Sequence, residues 1–138
     1  SNGPAQDGSG WYKTGTADYA ANAAEAVNLL TSCGYSFDST SQKFTDIPSF
    51  EYIYNTGTGH QAIAETLQAM FAKYGITMTI TTQEWKDFVA ARKDGSFTVA
   101  RNGWLCDYND PISMLDMWIS TSGNNDCRFG KATEKDAA

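Results

Sequence analysis

The amino-acid sequence predicts an α/β fold in which helices flank a sheet of three or more strands. From residue 50 onward, segments typical of strands alternate with segments typical of helices. That order favours parallel strands joined by at least one right-handed crossover. In addition, 41% of the 138 residues are hydrophobic, which is enough apolar material for one packed core. One α/β unit therefore accounts for most of the chain.

The chain before residue 50 contributes one helix and little else. Residues 1–16 are rich in Gly, Ser and Thr without an apolar period, so we expect a flexible arm whose opening tripeptide is typical of a cloning remnant. An alanine-rich segment predicts a helix over residues 18–33. Residues 35–48 are polar and turn-like. This pattern divides the chain into an arm, 1–16, and a lobe fragment, 17–138.

The sheet and its flanking helices are predicted after residue 50. Apolar alternation and β-branched or aromatic residues predict the strands, and apolar residues at helical spacing predict the helices. Thr81 and Glu84 have the spacing of a capping box at the start of the second of these helices. The predicted strands are 50–54, 76–82 and 97–103, and the predicted helices are 59–74, 84–94 and 111–119. In the first of these helices we expect a buried face made of Ile63, Leu67, Met70, Phe71 and Tyr74.

Charge and residue content argue against several classes of function. The net charge of −6 disfavours nucleic acids and anionic membrane surfaces as partners. The single histidine, His60, and the absence of CxxC or HExxH spacing disfavour a metal site. Cys106 and His60 could imitate a catalytic dyad, but no third group stands out to orient them. We therefore expect no catalytic residue, no metal and no cofactor.

The loop after the third predicted strand, residues 102–111, is the best candidate for a binding site. Open α/β sheets bind ligands beyond the carboxyl ends of their strands. Trp104 and Tyr108 offer flat apolar walls, whereas Asp107 and Asp110 offer negative charge. These side chains suit a cationic, partly apolar ligand such as the amino terminus of a peptide. The alternative is a solvated turn in which Trp104 is core and the aspartates cap backbone amides.

Four segments of the chain carry a family resemblance: Tyr54-Asn55-Thr56, Gln83-Glu84-Trp85-Lys86, Ala100 to Pro111 and Gly123-Asn124-Asn125-Asp126. They resemble the periplasmic oligopeptide- and dipeptide-binding proteins, which are extracellular solute-binding proteins of family 5. The pattern Gly-Trp-x-x-Asp-Tyr-Asn-Asp-Pro is the most specific and resembles the oligopeptide branch. The resemblance covers residues 18–130 and implies part of the carboxyl-terminal lobe of a type II periplasmic-binding-protein-like fold. The parent protein would be several times longer, with two lobes that close over a peptide.

The resemblance also implies individual roles. The carboxylate of Asp107 would pair with the α-amino group of the ligand, and the main chain of residues 103–105 would bond to the peptide. Trp85 would line a side-chain pocket with Asn55 at its rim. The two arginines would lie near the carboxylate of the peptide. Leu105 and Cys106 depart from the branch, but main-chain contacts do not depend on those side chains. The predicted ligand-binding residues are Asn55, Trp85, Arg92, Arg101, Gly103, Trp104, Leu105, Asp107 and Tyr108.

The function implied by the resemblance is capture of oligopeptides for an ABC importer. The parent protein would be a monomer outside the cytoplasm, in the periplasm or lipid-anchored at the outer face of the membrane, and would present peptide to membrane permease subunits. Two alternatives stay open. One is the same family with a dipeptide, nickel-complex or sugar ligand, and the other is a hydrolase on a similar α/β layer.

The three cysteines allow one disulfide bond. Cys106 and Cys127 flank a loop–helix–loop segment and are predicted to be bridged, with Cys33 free and buried on its helix. The alternative is that Cys106 and Cys127 are both small buried hydrophobic residues.

Overall fold

A computed structural model describes residues 19–130, and the chain divides into two compact units, one ending at Ile47 and the other beginning at Pro48. The prediction of a flexible arm over residues 1–16 lies outside the described residues. The extent of the lobe fragment, 17–138, stays a prediction.

The first unit contains a helix and a short hairpin. Helix α1 spans Tyr19–Ser32 and confirms the helix predicted over 18–33. Strands β1, Phe37–Asp38, and β2, Lys43–Phe44, pair antiparallel in a region that was predicted to be only turn-like. The Asp38 carboxylate accepts the backbone N–H groups of the turn and the Ser41 hydroxyl. The Ser41 bond is the main cause that lowers the pKa of Asp38. Side-chain bonds within the turn therefore stabilise a hairpin too short to show a strand pattern.

The second unit is built on a parallel sheet. Strands β3, Phe50–Asn55, β4, Met78–Gln83, and β5, Val99–Ala100, lie in the order β4–β3–β5. The first two confirm predicted strands, but the third is much shorter than the predicted 97–103. The backbone N–H of Arg101 still donates to the carbonyl of Ile53, at 2.9 Å. Beyond that bond the described residues no longer pair with the sheet, and the chain continues as a loop.

Helices connect the strands. Helix α2, Thr58–Lys73, and helix α3, Trp85–Asp94, confirm the predictions for 59–74 and 84–94. Helix α4 covers only Ile112–Leu115 and continues as a 3₁₀ turn over Asp116–Trp118, so the helix predicted for 111–119 is broken. Within residues 19–130, no helix is long and apolar enough to cross a membrane.

The capping box predicted for α3 is wrong. Glu84 is the N-cap residue of that helix, and its side chain makes no capping hydrogen bond. Thr81 lies inside β4, where its hydroxyl donates to the carboxylate of Glu51 at 2.6 Å. The pairing of β4 with β3 therefore commits Thr81 to the sheet before the helix begins.

The core lies on both faces of β3. Tyr52 and Tyr54 pack with Ala64 of α2 and Met78 of β4, while Ile53 is also fully buried. A central parallel strand covered on both sides explains three consecutive buried residues. The sheet therefore forms the buried centre of this unit.

The buried face predicted for α2 is only partly right. Leu67 packs against the core, but Ile63 and Met70 are 56% and 61% exposed. Ala64, which is fully buried, is the residue that faces the sheet. Gln68 donates its side-chain amide to the carbonyl of Met78 at 2.8 Å. The small side chain of Ala64 allows close approach, so the contacting face is rotated away from Ile63 and Met70 but keeps Leu67.

Candidate functional site

The carboxyl ends of the three strands meet at one edge of the sheet and bring predicted site residues together. Asn55 pairs in register with Gln83, and Ala100 pairs with Ile53 two residues earlier. Asn55 ends β3, and Arg101 directly follows β5. The guanidinium of Arg101 donates to the side-chain oxygen of Asn55 at 3.2 Å. The two predicted residues are therefore in direct contact.

At Gly103 the main chain of the loop passes close to the guanidinium of Arg101. A Cβ atom at this position would lie 3.3 Å from Nη2 of Arg101, which is tighter than ordinary van der Waals contact. The backbone N–H of Gly103 donates to the side-chain oxygen of Asn102 at 2.8 Å. Glycine therefore lets the arginine lie against the main chain at the start of the loop, and its N–H is already occupied.

Arg92 is engaged by other residues of the chain. Its Nη1 donates to Oδ1 of Asn102 at 2.6 Å, and its Nε lies 3.3 Å from Oδ2 of Asp126. The second contact is an ion pair without hydrogen-bond alignment. The guanidinium also lies over the ring of Phe88, 5.1 Å from its centroid. Arg92 thus connects α3 to the loop, and its predicted place near a ligand carboxylate stays a prediction.

The carboxylate of Asp126 also pairs with a second cation, the ammonium group of Lys93 near the end of α3. Lys93 Nζ lies 3.0 Å from Oδ1 of Asp126 and also donates to the carbonyl of Gly123 and the side chain of Asn124. The Gly-Asn-Asn-Asp segment that supported the family resemblance therefore wraps around the lysine. Its oxygens neutralise a charge of the chain itself.

The loop from Trp104 to Asp110 is anchored on one buried serine. The indole N–H of Trp104 donates to the carbonyl of Ser113 at 2.7 Å, and the backbone N–H of Asp107 donates to its hydroxyl at 2.9 Å. The side chain of Asp110 accepts the N–H of Ile112 at 2.8 Å. Sequence reasoning missed Ser113, because a serine inside a predicted helix carries no distinguishing signal.

Asp107 differs from the neighbouring acidic residues. Within residues 19–130 its exposed carboxylate has no hydrogen-bond or ion-pair partner. By contrast, Asp110 accepts the N–H of Ile112 in the turn before α4, Asp116 accepts the Tyr108 hydroxyl at 3.0 Å, and Asp126 binds two cations. The bond to Asp116 is the main cause that raises the pKa of Tyr108. Asp107 is therefore the carboxylate of this loop that is free to bind a ligand.

Two large apolar side chains near Asp107 in the sequence, Leu105 and Tyr108, are exposed, and so is Trp85 at the start of α3. Leu105 is 88% exposed, Trp85 is 58% exposed and Tyr108 is 50% exposed. Trp85 begins α3 directly after the end of β4, and its ring contacts that of Phe88. Exposed aromatic groups beyond the ends of parallel strands are suited to binding.

The predicted disulfide is wrong in this structure. Cys106 and Cys127 are both free and exposed, and Cys33 is exposed instead of buried. The spacing of two cysteines along a chain does not determine the distance between the loops that carry them, whereas a disulfide requires Cα atoms within about 7 Å. In the part of the chain that the structure describes, no group of three or more metal-binding side chains is assembled.

Comparisons with known proteins identify relatives in sequence and in fold. The periplasmic oligopeptide-binding protein OppA of Salmonella typhimurium is 35% identical over 106 residues, which are 76% of this chain and 18% of that protein. The Escherichia coli murein tripeptide binding protein MppA matches in structure with a TM-score of 0.72 and 26% identity, over 99% of this chain and 24% of its own. Haemophilus influenzae OppA, solved in complex with RPPGFSPFR, matches with a TM-score of 0.67 and 31% identity, over 80% of this chain and 21% of its own.

These relatives establish the fold and the family. The chain spans roughly a fifth of their length. Their structures confirm the predicted α/β fold of type II periplasmic binding proteins. Residues 1–126 match the family described as bacterial extracellular solute-binding proteins, family 5, middle. The chain therefore belongs to the family 5 bacterial extracellular solute-binding proteins.

Proposed function

We propose that the protein containing this chain captures oligopeptides outside the cytoplasm for an ABC importer, and that Asp107 pairs with the α-ammonium group of the peptide. The free carboxylate of Asp107 is the observation that carries this proposal, because the other acidic side chains of residues 107–126 are engaged within the chain. A buried ammonium group needs an ionised partner. Asp107 supplies one on an exposed loop.

Unpaired main-chain groups beside Asp107 support a peptide as the ligand. Among the described residues, the backbone N–H and C=O groups of Trp104 and Leu105 make no hydrogen bonds. Such a run can pair with an extended peptide through groups that all peptides share. Because the N–H of Gly103 already donates to the side chain of Asn102, the carbonyl of Gly103 is the group left for the ligand.

The relatives support the same class of ligand. Haemophilus influenzae OppA was solved with a nine-residue peptide, and the Salmonella and E. coli relatives are named as periplasmic binding proteins. For the parent of this chain, we therefore favour an extracytoplasmic, monomeric protein, periplasmic or lipid-anchored, that presents peptide to permease subunits. It needs neither a catalytic residue nor a cofactor. Dipeptides, nickel complexes and sugars are the alternative ligands.

Substitution of Asp107 in the full-length protein tests the proposal. We expect Asp107→Asn to weaken binding of a free tripeptide by about thirty- to several-thousand-fold, because truncating one partner of a buried charge pair costs about 2–5 kcal/mol. Acetylation of the peptide's amino terminus should weaken binding to a similar degree. Calorimetry with tri- to pentapeptides, dipeptides and nickel chelates measures both effects and separates the ligand classes.

Asp110→Asn is the matched control, since it makes the same change of charge three residues away. Asparagine keeps a side-chain oxygen that can accept the N–H of Ile112, and it is as common as aspartate in turns, so this bond should survive. We expect this variant to bind peptide almost normally. If Asp107→Asn and N-acetylation each change the affinity by less than about twofold, the proposed recognition of the amino terminus is wrong.

A further inference from the structure

We infer that Ser113 is a positioning residue that orients Asp107 for the ligand's amino group. This inference rests on the proposed function of Asp107. It concerns a residue that is 1% exposed and therefore cannot bind the ligand by itself. Its effect on binding would pass through the loop that it holds.

Ser113 bonds to the loop at three places. Its hydroxyl accepts the N–H of Asp107 at 2.9 Å, and its carbonyl accepts the indole N–H of Trp104 at 2.7 Å. Its own N–H donates to the carbonyl of Asp110 at 3.0 Å. The loop between Trp104 and Asp110 is thus tied at both ends and at Asp107 to one buried residue of α4.

The bond at Asp107 matters most because, within residues 19–130, it is the hydrogen bond that holds that residue. The Asp107 carboxylate has no partner among residues 19–130, and the two preceding residues, Leu105 and Cys106, make no backbone hydrogen bonds there. The Ser113 hydroxyl is therefore the contact that sets where the Asp107 backbone, and with it the carboxylate, lies. Without it the carboxylate would still be present but would spend less time in the binding position.

The role requires a small hydroxyl residue in this place. Alanine fills the buried space but leaves the Asp107 N–H without its acceptor, whereas threonine keeps the acceptor and adds one methyl group. The carbonyl bond to Trp104 is a backbone contact and should survive either change. The two variants therefore separate the hydroxyl from the rest of the anchor.

The test uses the full-length protein with Ser113→Ala, Ser113→Thr, Asp107→Asn and the double variant Ser113→Ala/Asp107→Asn. We expect Ser113→Ala to weaken binding of a free tripeptide about tenfold, the effect of losing one hydrogen bond. Ser113→Ala should change binding of the N-acetylated tripeptide by less than about twofold. When Ser113→Ala is added to Asp107→Asn, binding of the free tripeptide should also change by less than about twofold. Ser113→Thr should keep the preference for the free amine. Ser120→Ala, at an exposed serine, is the control and should bind normally.

Three outcomes can be told apart. If Asp107→Asn has no effect, the proposed function fails. If Asp107→Asn weakens binding but Ser113→Ala does not, or if Ser113→Ala weakens binding of both peptides equally, the positioning role is wrong and Ser113 only supports the fold.

Amide hydrogen exchange of the unsubstituted chain gives an independent measurement that needs no variant to fold. The Asp107 amide should be more strongly protected, relative to its intrinsic exchange rate, than the amides of Leu105 and Cys106, and equal protection would also refute the inference.

Discussion

Removal of the charge of Asp126 tests how the loop is attached to α3. Asp126 has a side chain that is only 5% exposed, and the Arg92 side chain beside it is 12% exposed. Asp126→Asn keeps the shape but leaves the Arg92 guanidinium without a counter-charge. Because Arg92 also holds Asn102, we expect the change to destabilise the second unit and to loosen the start of the loop.

The magnitude follows from the geometry. Two unit charges 3.3 Å apart attract by about 5 kcal/mol at an effective dielectric constant of about 20, and desolvation offsets part of this. Breaking a buried ion pair usually costs about 3–5 kcal/mol. We expect the low end, about 3 kcal/mol, because the Arg92 contact is not aligned as a hydrogen bond and Lys93 is 39% exposed. An exposed partner contributes little.

Urea unfolding of the 138-residue chain provides the assay. At a slope of about 2 kcal/mol per molar urea, a loss of 3 kcal/mol lowers the midpoint by about 1.5 M. Asp94→Asn makes the same charge change at an exposed carboxylate near the end of α3 and should shift the free energy of unfolding by no more than about 0.5 kcal/mol. A midpoint for Asp126→Asn within about 0.3 M of the parent chain, below about 1 kcal/mol, would show that this ion pair does not stabilise the fold.

Three further predictions concern the core, the site and its pH dependence. Phe88→Ala should lower the free energy of unfolding by about 3–5 kcal/mol, because Phe88 is fully buried; thermal unfolding measures this, and a loss below about 1 kcal/mol would contradict the packing. Calorimetric titration of the 138-residue chain alone with tri- to pentapeptides should be nearly silent, because the chain spans roughly a fifth of its relatives and leaves one side of the ligand in water; tight binding would show that we have misplaced the site. The hydrogen bond to Asp116 favours the neutral form of Tyr108 and raises the pKa of that tyrosine. The stability that this hydrogen bond contributes is therefore present below the ordinary pKa of 10.0 and is lost as the pH rises through the raised pKa of the folded state. Ultraviolet titration should show a tyrosine with a raised pKa that Tyr108→Phe removes and that Asp116→Asn shifts towards the ordinary value, and an unchanged titration curve would contradict this account.

The sequence alone was sufficient for elements whose signals are local. The aromatic and β-branched run that became β3, the alternation that became β4, and the helical spacing in α2 and α3 are properties of neighbouring residues, and glycines mark where α2 and α3 end. The family resemblance predicted a binding role for the loop and for Asp107 because the motif is contiguous, and that role stays a prediction. The distinction between Asp107 and Asp110 also follows from local chemistry, since an aspartate before Pro111 is placed to cap the next turn.

Contacts between distant residues were decided only by the tertiary structure. Packing of α2 on the sheet selected Ala64 over Ile63 and Met70, because a small side chain allows the closest approach. Arg92 found its counter-charge in Asp126, on a segment that no helical or strand spacing connects to α3. Ser113 reaches Asp107 only because α4 folds back under the loop. Spacing along the chain specifies which face a residue occupies within its own element, but the partner on another element depends on how the whole unit packs.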